Sequence, residues 1–144
     1  MSEFTLLTFG FETIEGPTVD DAGGLFFSDP LGGGVYRLRP DGVVDVVVPK
    51  RKAVGGLCLH ADGGIVISGR DLSHIRDGQS AVLLSRDDVT DKLGPKVNTF
   101  NDIHATPDGR IFVGVTRIDD AGQRGGIYVL PVDVPGTEVG RARL

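Results

Sequence analysis

A carboxylate and a carboxamide stand at the same distance before two apolar segments of the sequence. Glu15 lies ten residues before Leu25, and Asn101 lies ten residues before Ile111. Their side-chain oxygens are hard ligands, which suit Ca²⁺, Mg²⁺ or Mn²⁺ and which Zn²⁺ also accepts. The pair indicates a divalent-metal site, with Ca²⁺ as the first candidate, that needs further ligands. The alternative is that Glu15 accepts hydrogen bonds in a loop and Asn101 caps a turn.

Other polar residues offer weaker patterns. Arg70, Asp71 and His74 follow an apolar segment, and we expect them in a loop where Arg70 and His74 are candidates for contact with a substrate. Solvent exposure or local hydrogen bonding is the alternative for them. The histidines at 60, 74 and 104 have spacings that match no short zinc motif, so a histidine-based metal site is not expected.

The elements that must position these residues repeat along the chain. Three segments share a turn containing Gly, an apolar strand, a variable loop and a second apolar strand, and they begin with DDAGGLFFSD, HADGGIVISGRD and TPDGRIFVGVTR. With Leu25, Ile65 and Ile111 in register, the periods are 40 and 46 residues. Periods of this length with several strands per unit indicate the blades of a β-propeller. An antiparallel sandwich with coincidental turns is the alternative.

We predict an all-β fold of about three four-stranded blades, over residues 12–50, 53–94 and 98–144, which form one incomplete propeller domain. The outer edge strands are expected at residues 43–48 and 88–93. In this register Gly55 is equivalent to Glu15 and Asn101, at the start of the inner strands. Because inner strands surround the central channel, the three positions should converge there.

The composition excludes some classes of function. The 20 acidic and 15 basic residues leave a net charge of −5 and no long basic run, so we expect no nucleic-acid partner. The first residues lack the pattern of a signal peptide, and no apolar run approaches the roughly 20 residues that span a bilayer. We therefore expect a cytoplasmic protein with no membrane contact. The single cysteine, Cys58, is expected to be a buried, unreactive thiol.

Two motifs, IEGPTVDDAGGLFFSD at residues 14–29 and FNDIHATPDGRIFVGV at residues 100–115, resemble signature regions of the gluconolactonase, regucalcin and lactonase-like propellers. The segment DGGIVISGRDLSHI at residues 62–75 is similar to their second blade. The resemblance implies a six-bladed ring in which Glu15 binds the metal and Asn101 lies at the metal and substrate pocket. Thr99 stands where some members carry a substrate-binding Arg, which makes it a further candidate for substrate contact but leaves specificity for sugar lactones open.

The resemblance also implies that the remaining ligands, an Asn of the fourth blade and an Asp of the fifth that is the favoured general base, fall after Leu144. The chain is thus expected to carry half of the active site of a metal-dependent hydrolase of lactones or related esters. The alternatives are a non-catalytic Ca²⁺-binding or interaction module and an inactive truncated fragment. A homodimer that completes a six-bladed ring is a further arrangement consistent with three blades.

Overall fold

The computed structural model describes residues 4–93, 97–119 and 122–130, in which three antiparallel sheets follow one another along the chain. The first sheet contains β1 (Glu15–Val19), β2 (Leu25–Ser28), β3 (Gly34–Leu38) and β4 (Val44–Pro49), which pair in chain order. The β-branched and aromatic residues of these segments favour strands, and short turns with glycine join them. The prediction of a first four-stranded unit is confirmed.

The second sheet contains β5 (Leu57–Leu59), β6 (Ile65–Ile67), β7 (Leu72–Arg76) and β8 (Gln79–Leu84), again in chain order. Two predictions for this unit are wrong. The segment that holds His74 forms β7 and not a loop, because Asp77 and Gly78 make a tight hairpin turn. Both turn residues have positive φ, 50° and 76°, as a type I′ turn requires.

The second error concerns the outer edge of this unit. Residues 88–93 were expected as a strand, but they belong to α1 (Arg86–Leu93), and β8 is the outer strand. Ser85 caps the helix, since its hydroxyl accepts a hydrogen bond from the Asp88 backbone N–H, and the Asp88 carboxylate in turn accepts one from the Ser85 N–H at 2.7 Å. Val89 is fully buried and anchors the helix in the core.

The third sheet contains β9 (Val97–Ala105), β10 (Ile111–Asp119) and β11 (Gly122–Leu130), with β10 in the middle. The fourth strand expected for this unit falls on residues 131–144, outside the described residues. None of the helices in the described part of the chain has both the length and the apolar character needed to cross a membrane.

The predicted register of the repeat is confirmed by the strand pairing. Each apolar residue at the start of a unit's second strand pairs with the residue six positions earlier, and these pairs are Leu25 with Val19, Ile65 with Leu59, and Ile111 with Ala105. The inner strands of the three units are therefore β1, β5 and β9, and each unit is a repeat of the same hairpin.

Two clusters of buried apolar side chains hold the sheets together. One cluster contains Val35, Val54 and Ile67, and it joins the first sheet to the second. The other contains Val66, Phe100 and Ile111 and joins the second sheet to the third. Burial of these side chains supplies the main favourable free energy of folding. The sheets thus pack face to face, with their inner strands side by side.

Candidate functional site

The three inner strands approach each other at the level of their backbones. A β-carbon on Gly16 would lie 3.2 Å from the Cα of Gly56, and a β-carbon on Gly56 would lie 2.8 Å from the backbone nitrogen of Ile103. In addition, the Thr18 hydroxyl donates a hydrogen bond to the carbonyl of Leu57 at 3.1 Å. Glycine at these positions permits the close approach. Strands β1, β5 and β9 therefore form one continuous inner surface.

Glu15 is half-buried at the first position of β1, where it pairs with Ser28 of β2, and the buried Ser28 hydroxyl binds the segment before β5. The Ser28 hydroxyl oxygen lies 2.7 Å from the carbonyl oxygen of Val54 and 3.2 Å from that of Glu15. Because a hydroxyl carries one proton, the shorter contact to Val54 is the stronger of the two. The start of β1 is thus fixed beside Val54 and Gly55.

Asn101 is exposed on β9, and its side chain lies against Gly55. The Asn101 side-chain oxygen occupies the space that a β-carbon on Gly55 would need. Two contacts thus link the residues predicted to be equivalent. Ser28, which neighbours Glu15, binds Val54, and Asn101 contacts the next residue, Gly55. The expectation that each of these residues starts its strand holds for Glu15 and is wrong for Asn101, which is the fifth residue of β9, because that strand extends back to Val97.

A β-bulge interrupts both strands that carry the candidate ligands. In β1 the two residues after Glu15 stand opposite the single residue Phe27. In β9 the pair Asn101 and Asp102 stands opposite the single residue Gly114. A bulge bends the strand and changes the direction of the side chains beside it, and bulges are frequent next to active sites. Simple alternation along the strands therefore does not give the directions of these side chains.

Asp29 is a buried carboxylate that fixes the segment leading into β1, and sequence reasoning assigned it no role. It is 4% exposed and accepts hydrogen bonds from the backbone N–H groups of Glu12 at 3.0 Å, Thr13 at 3.2 Å and Gly32 at 2.8 Å. Burial by itself raises the pKa of Asp29, but these N–H donors outweigh it and hold the pKa below its usual value. The ionised side chain thus pins the segment just before Glu15.

The three residues considered for substrate contact lie in different places. Thr99 is half-buried on β9, two residues from Asn101, and pairs with Thr116. Arg70 is exposed in the segment between β6 and β7. His74 hydrogen-bonds through Nε2 to the Gly63 carbonyl at 2.9 Å, in the turn after β5. Thr99 therefore shares a strand with Asn101, whereas the contact of His74 lies at the opposite end of β5 from Gly55.

The side-chain oxygens of Glu15 and Asn101 are of the type that binds hard cations, but two ligands are few for such a site. Asn101 borders a depression of about 350 Å³ that Thr116 and Gly126 also line. Within the described residues, no group of three or more His, Cys, Asp or Glu side chains is arranged to hold a metal ion. Glu15 and Asn101 would accordingly supply two oxygen ligands, and the other ligands would have to come from elsewhere.

Cys58 is the only cysteine and lies on β5 in the core. Its side chain is buried, and burial raises the pKa of the thiol to about 12. The thiol is therefore protonated at neutral pH and is a packing group, as the sequence predicted.

Consecutive antiparallel sheets with adjacent inner strands define the β-propeller class of protein, and comparison with known structures agrees. The chain superimposes on a gluconolactonase from Xanthomonas campestris with a TM-score of 0.71 and 25% identity, covering 87% of this chain and 46% of that one. It superimposes on the calcium-binding protein regucalcin from Agrobacterium tumefaciens with a TM-score of 0.63 and 21% identity, covering 86% and 42%. The second similarity shows the fold alone.

The chain belongs to the SMP-30/Gluconolactonase/LRE-like family, whose model matches residues 13–141. It is 24% identical over 123 residues to YvrE of Bacillus subtilis, which is named as a candidate sugar lactone lactonase, and this match covers 83% of the chain and 40% of that relative. The chain thus spans less than half the length of these relatives. The resemblance drawn from the two sequence motifs is confirmed.

Proposed function

We propose that Glu15 and Asn101 contribute oxygen ligands to a divalent-metal site at which a lactone or a related ester is hydrolysed. Ca²⁺ is the first candidate ion, and Mg²⁺, Mn²⁺ and Zn²⁺ are the others. The observation that carries the proposal is that both residues are linked to the same short segment before β5, because Ser28, the partner of Glu15 in the sheet, binds Val54 and the Asn101 side chain lies against Gly55. Membership of the family, and the lactonase and gluconolactonase relatives within it, support the substrate class.

Glu15 supplies the formal charge of the proposed site. Glu15 is half-buried, so water screens its attraction for a cation less than at an open surface. Strand pairing with Ser28 and the hydrogen bond from the Thr13 N–H to Asp29 hold the backbone around this residue without using its side chain. The carboxylate is therefore available to a cation while its main chain stays fixed, which limits the entropy lost on binding.

Asn101 supplies a neutral oxygen and two N–H donors. Contact with Gly55 restricts the positions that its carboxamide can adopt. With the oxygen turned to the ion, the N–H groups can donate to an oxygen of the substrate and orient it. Thr99, on the same strand, and the more distant Arg70 and His74 remain proposals for substrate contact.

A divalent ion bound here supplies a Lewis acid for the lactone carbonyl and stabilises the charge that develops on its oxygen. The attacking water also needs a proton acceptor, and we assign that role to none of the described residues. The chain spans 40–46% of the lactonase relatives. We therefore propose turnover for an assembly in which a second half of the ring, from a longer chain or from a second copy, supplies the remaining groups.

Calorimetric titration with CaCl₂ and MnCl₂ tests the ligand assignment. Glu15→Gln should weaken binding about tenfold or more, and by more than Asn101→Ala, because it removes a formal charge beside a dication. Glu12→Gln is the matched control, since it removes a nearby exposed carboxylate and should leave the affinity unchanged. Equal losses for Glu15→Gln and Glu12→Gln would contradict the assignment.

A non-catalytic interaction module is the second candidate, and the N-terminal segment favours it. Phe4 and Phe9 are 96% and 82% exposed, and Leu6 and Leu7 are also exposed. Apolar side chains grouped at a surface often mark a contact with another protein. Ion binding without lactone hydrolysis in an assembly with a complete ring would favour this candidate over the hydrolase.

A further inference from the structure

A second cavity lies at the end of the sheets opposite to Glu15 and Gly55. Its volume is about 750 Å³, which is within the range of ligand-binding pockets. The turn after β1, which begins at Asp20, and the turn after β5, which begins at His60, form two of its sides. Residues 75–78, at the end of β7, form another. We refer to this cavity, between the first and second sheets, as the lower cleft.

The floor of the lower cleft is apolar. It consists of side chains that continue the core between the first two sheets, namely Phe26, Val47, Leu59, Ile65 and Ile75. All of these except Ile65 are only partly buried, so the cleft exposes part of their surface. An apolar guest would remove this surface from water, which is favourable in proportion to the area covered.

The rim of the lower cleft is acidic. Five aspartates and two arginines line the cleft, which leaves an excess of three negative charges, and these residues are Asp20, Asp21, Asp45, Asp62, Asp77, Arg37 and Arg76. Both arginines already have a partner on the rim, because Arg37 pairs with Asp20 at 2.6 Å and Arg76 with Asp77 at 3.4 Å. The excess charge is therefore not neutralised by the cations of the rim itself.

Asp45 and Asp62 carry much of this excess. Asp45 lies 3.7 Å from Arg39, which is a long contact between groups that are both substantially exposed. For Asp62, no Lys or Arg of the described residues lies within ion-pair distance of its carboxylate, which is exposed. These two carboxylates, on different sheets, can thus meet a cationic guest from two sides.

A buried hydrogen-bonding group on the wall also lacks a partner within the described part of the chain. His60 is 4% exposed, and its Nδ1 accepts a hydrogen bond from the Asp62 N–H at 3.2 Å. The proton of the neutral ring is therefore assigned to Nε2, which has no hydrogen-bond partner among the described residues. An unpaired buried donor is costly. A guest with an acceptor oxygen could provide the partner after a small shift of the wall, where the His74 ring stacks at 3.8 Å on His60.

We propose that the lower cleft binds a small organic cation that has an apolar body and carries a carbonyl or hydroxyl oxygen. The apolar floor selects the body, the acidic rim selects the charge, and His60 donates to the oxygen. This site is separate from the proposed metal site, which lies at the other end of β1 and β5. A substrate lactone, being neutral, would not be selected by the rim.

Titration with a matched set of indole compounds at pH 6 tests the selection of charge. Tryptophanamide carries a protonated amine and a carbonyl, N-acetyltryptophanamide is neutral, and N-acetyltryptophan is an anion. The first should bind about fivefold or more tightly than the second, and the anion should bind most weakly. Amide shifts in a ¹⁵N-resolved NMR spectrum should centre on residues 60–64 and 75–78. Shifts centred on residues 99–101 would place the guest at the other end and overturn the proposal.

Three variants test the named carboxylates. Asp62→Asn and Asp45→Asn should each weaken the binding of tryptophanamide about two- to fivefold and leave the affinity for N-acetyltryptophanamide unchanged. Asp87→Asn is the matched control, since it removes an exposed carboxylate on α1, which does not border the cleft. Equal losses for all three variants would mean that the net charge of the chain, and not the rim, attracts the cation, and would overturn the proposal.

The role of His60 has its own readout. Tryptamine has the indole and the amine of tryptophanamide but no carbonyl. The His60 Nε2 resonance should therefore move with tryptophanamide and not with tryptamine. Glu15→Gln should change none of these results, because the metal site is separate. Equal shifts of the Nε2 resonance with both compounds would show that the acceptor oxygen does not contribute to binding. Equal affinities for the cation, the neutral compound and the anion would overturn the proposal of a cation site.

Discussion

The side-chain oxygen of Asn101 lies where a β-carbon on Gly55 would have to be. These residues are 46 positions apart and occupy the same register position in neighbouring units. The contact means that the carboxamide of one inner strand rests on the bare backbone of the next. The absence of a side chain at residue 55 is thus a condition for the position of Asn101.

Gly55→Ala should therefore act through Asn101. The new methyl group would displace the carboxamide, so Ca²⁺ affinity should fall about as much as in Asn101→Ala. In the Asn101→Ala background, Gly55→Ala should add little, because the displaced group is already absent. Calorimetric titration of the two single variants and the double variant measures this coupling. Additive losses would show that the two residues act independently.

Ser28→Ala should destabilise the fold. The variant loses the buried hydroxyl that joins the start of β1 to Val54 and leaves a buried carbonyl without this donor, at a cost of about 1–3 kcal/mol. Ser80→Ala, in an exposed part of β8, should change the free energy of unfolding by less than about 0.5 kcal/mol. Urea unfolding followed by circular dichroism compares them, and equal values would rule out the bridging role of Ser28.

Mild acid should destabilise the protein through His60. Burial, together with the neighbouring His74, lowers the pKa of His60 in the folded chain, while Asp62 opposes the shift. The unfolded chain therefore binds the proton more readily. The stabilising contribution is complete above about pH 6.5 and is lost as the pH falls toward the lower folded pKa. Urea midpoints between pH 5 and 8 should show this slope and His60→Gln should reduce it, so an unchanged slope in the variant would contradict the prediction.

Cys58 should resist alkylation while the chain is folded. Its pKa of about 12 leaves almost no thiolate at pH 8, and the core covers the sulfur. Iodoacetamide should modify it at least about a hundredfold more slowly in buffer than in 6 M urea, since reaction requires opening of the fold. Mass spectrometry of timed samples gives both rates. Similar rates in the two solutions would be inconsistent with the buried position.

The isolated chain of 144 residues should be a poor lactonase as a monomer, because the described residues provide only two proposed ligands. Light scattering together with a gluconolactone hydrolysis assay at varied CaCl₂ concentration measures association and turnover in the same sample. Turnover that increases with dimer formation would support completion of the ring by a second copy. A monomer with rapid, metal-dependent turnover would contradict the proposed division of the site.

Local sequence determined the strands of the first sheet and the register of the repeat. Leu25, Ile65 and Ile111 follow turns with glycine, and the alternation of apolar residues after them needs no distant contact to be recognised. Local signals were also present where the predictions were wrong. Asp77 and Gly78 mark a hairpin, and Ser85 with Asp88 marks the start of a helix.

The positions of the candidate ligands depended on the tertiary structure. The register predicted that Glu15, Gly55 and Asn101 are equivalent, but only the packing of separate sheets shows that Ser28 bridges to Val54 and that Asn101 rests on Gly55. Likewise, the bulge opposite Gly114 changes the direction of the neighbouring side chains, and simple strand alternation does not predict this change.

The lower cleft and the stacked pair of His60 and His74 also depended on the tertiary structure. The aspartates of its rim come from turns and strands of two sheets and are separated by up to 57 positions in the sequence, so no local pattern brings them together. The sequence by itself determined the repeated hairpin, because turn residues and apolar alternation act over a few positions. The tertiary structure decided which side chains meet between hairpins, because those distances depend on how the sheets pack.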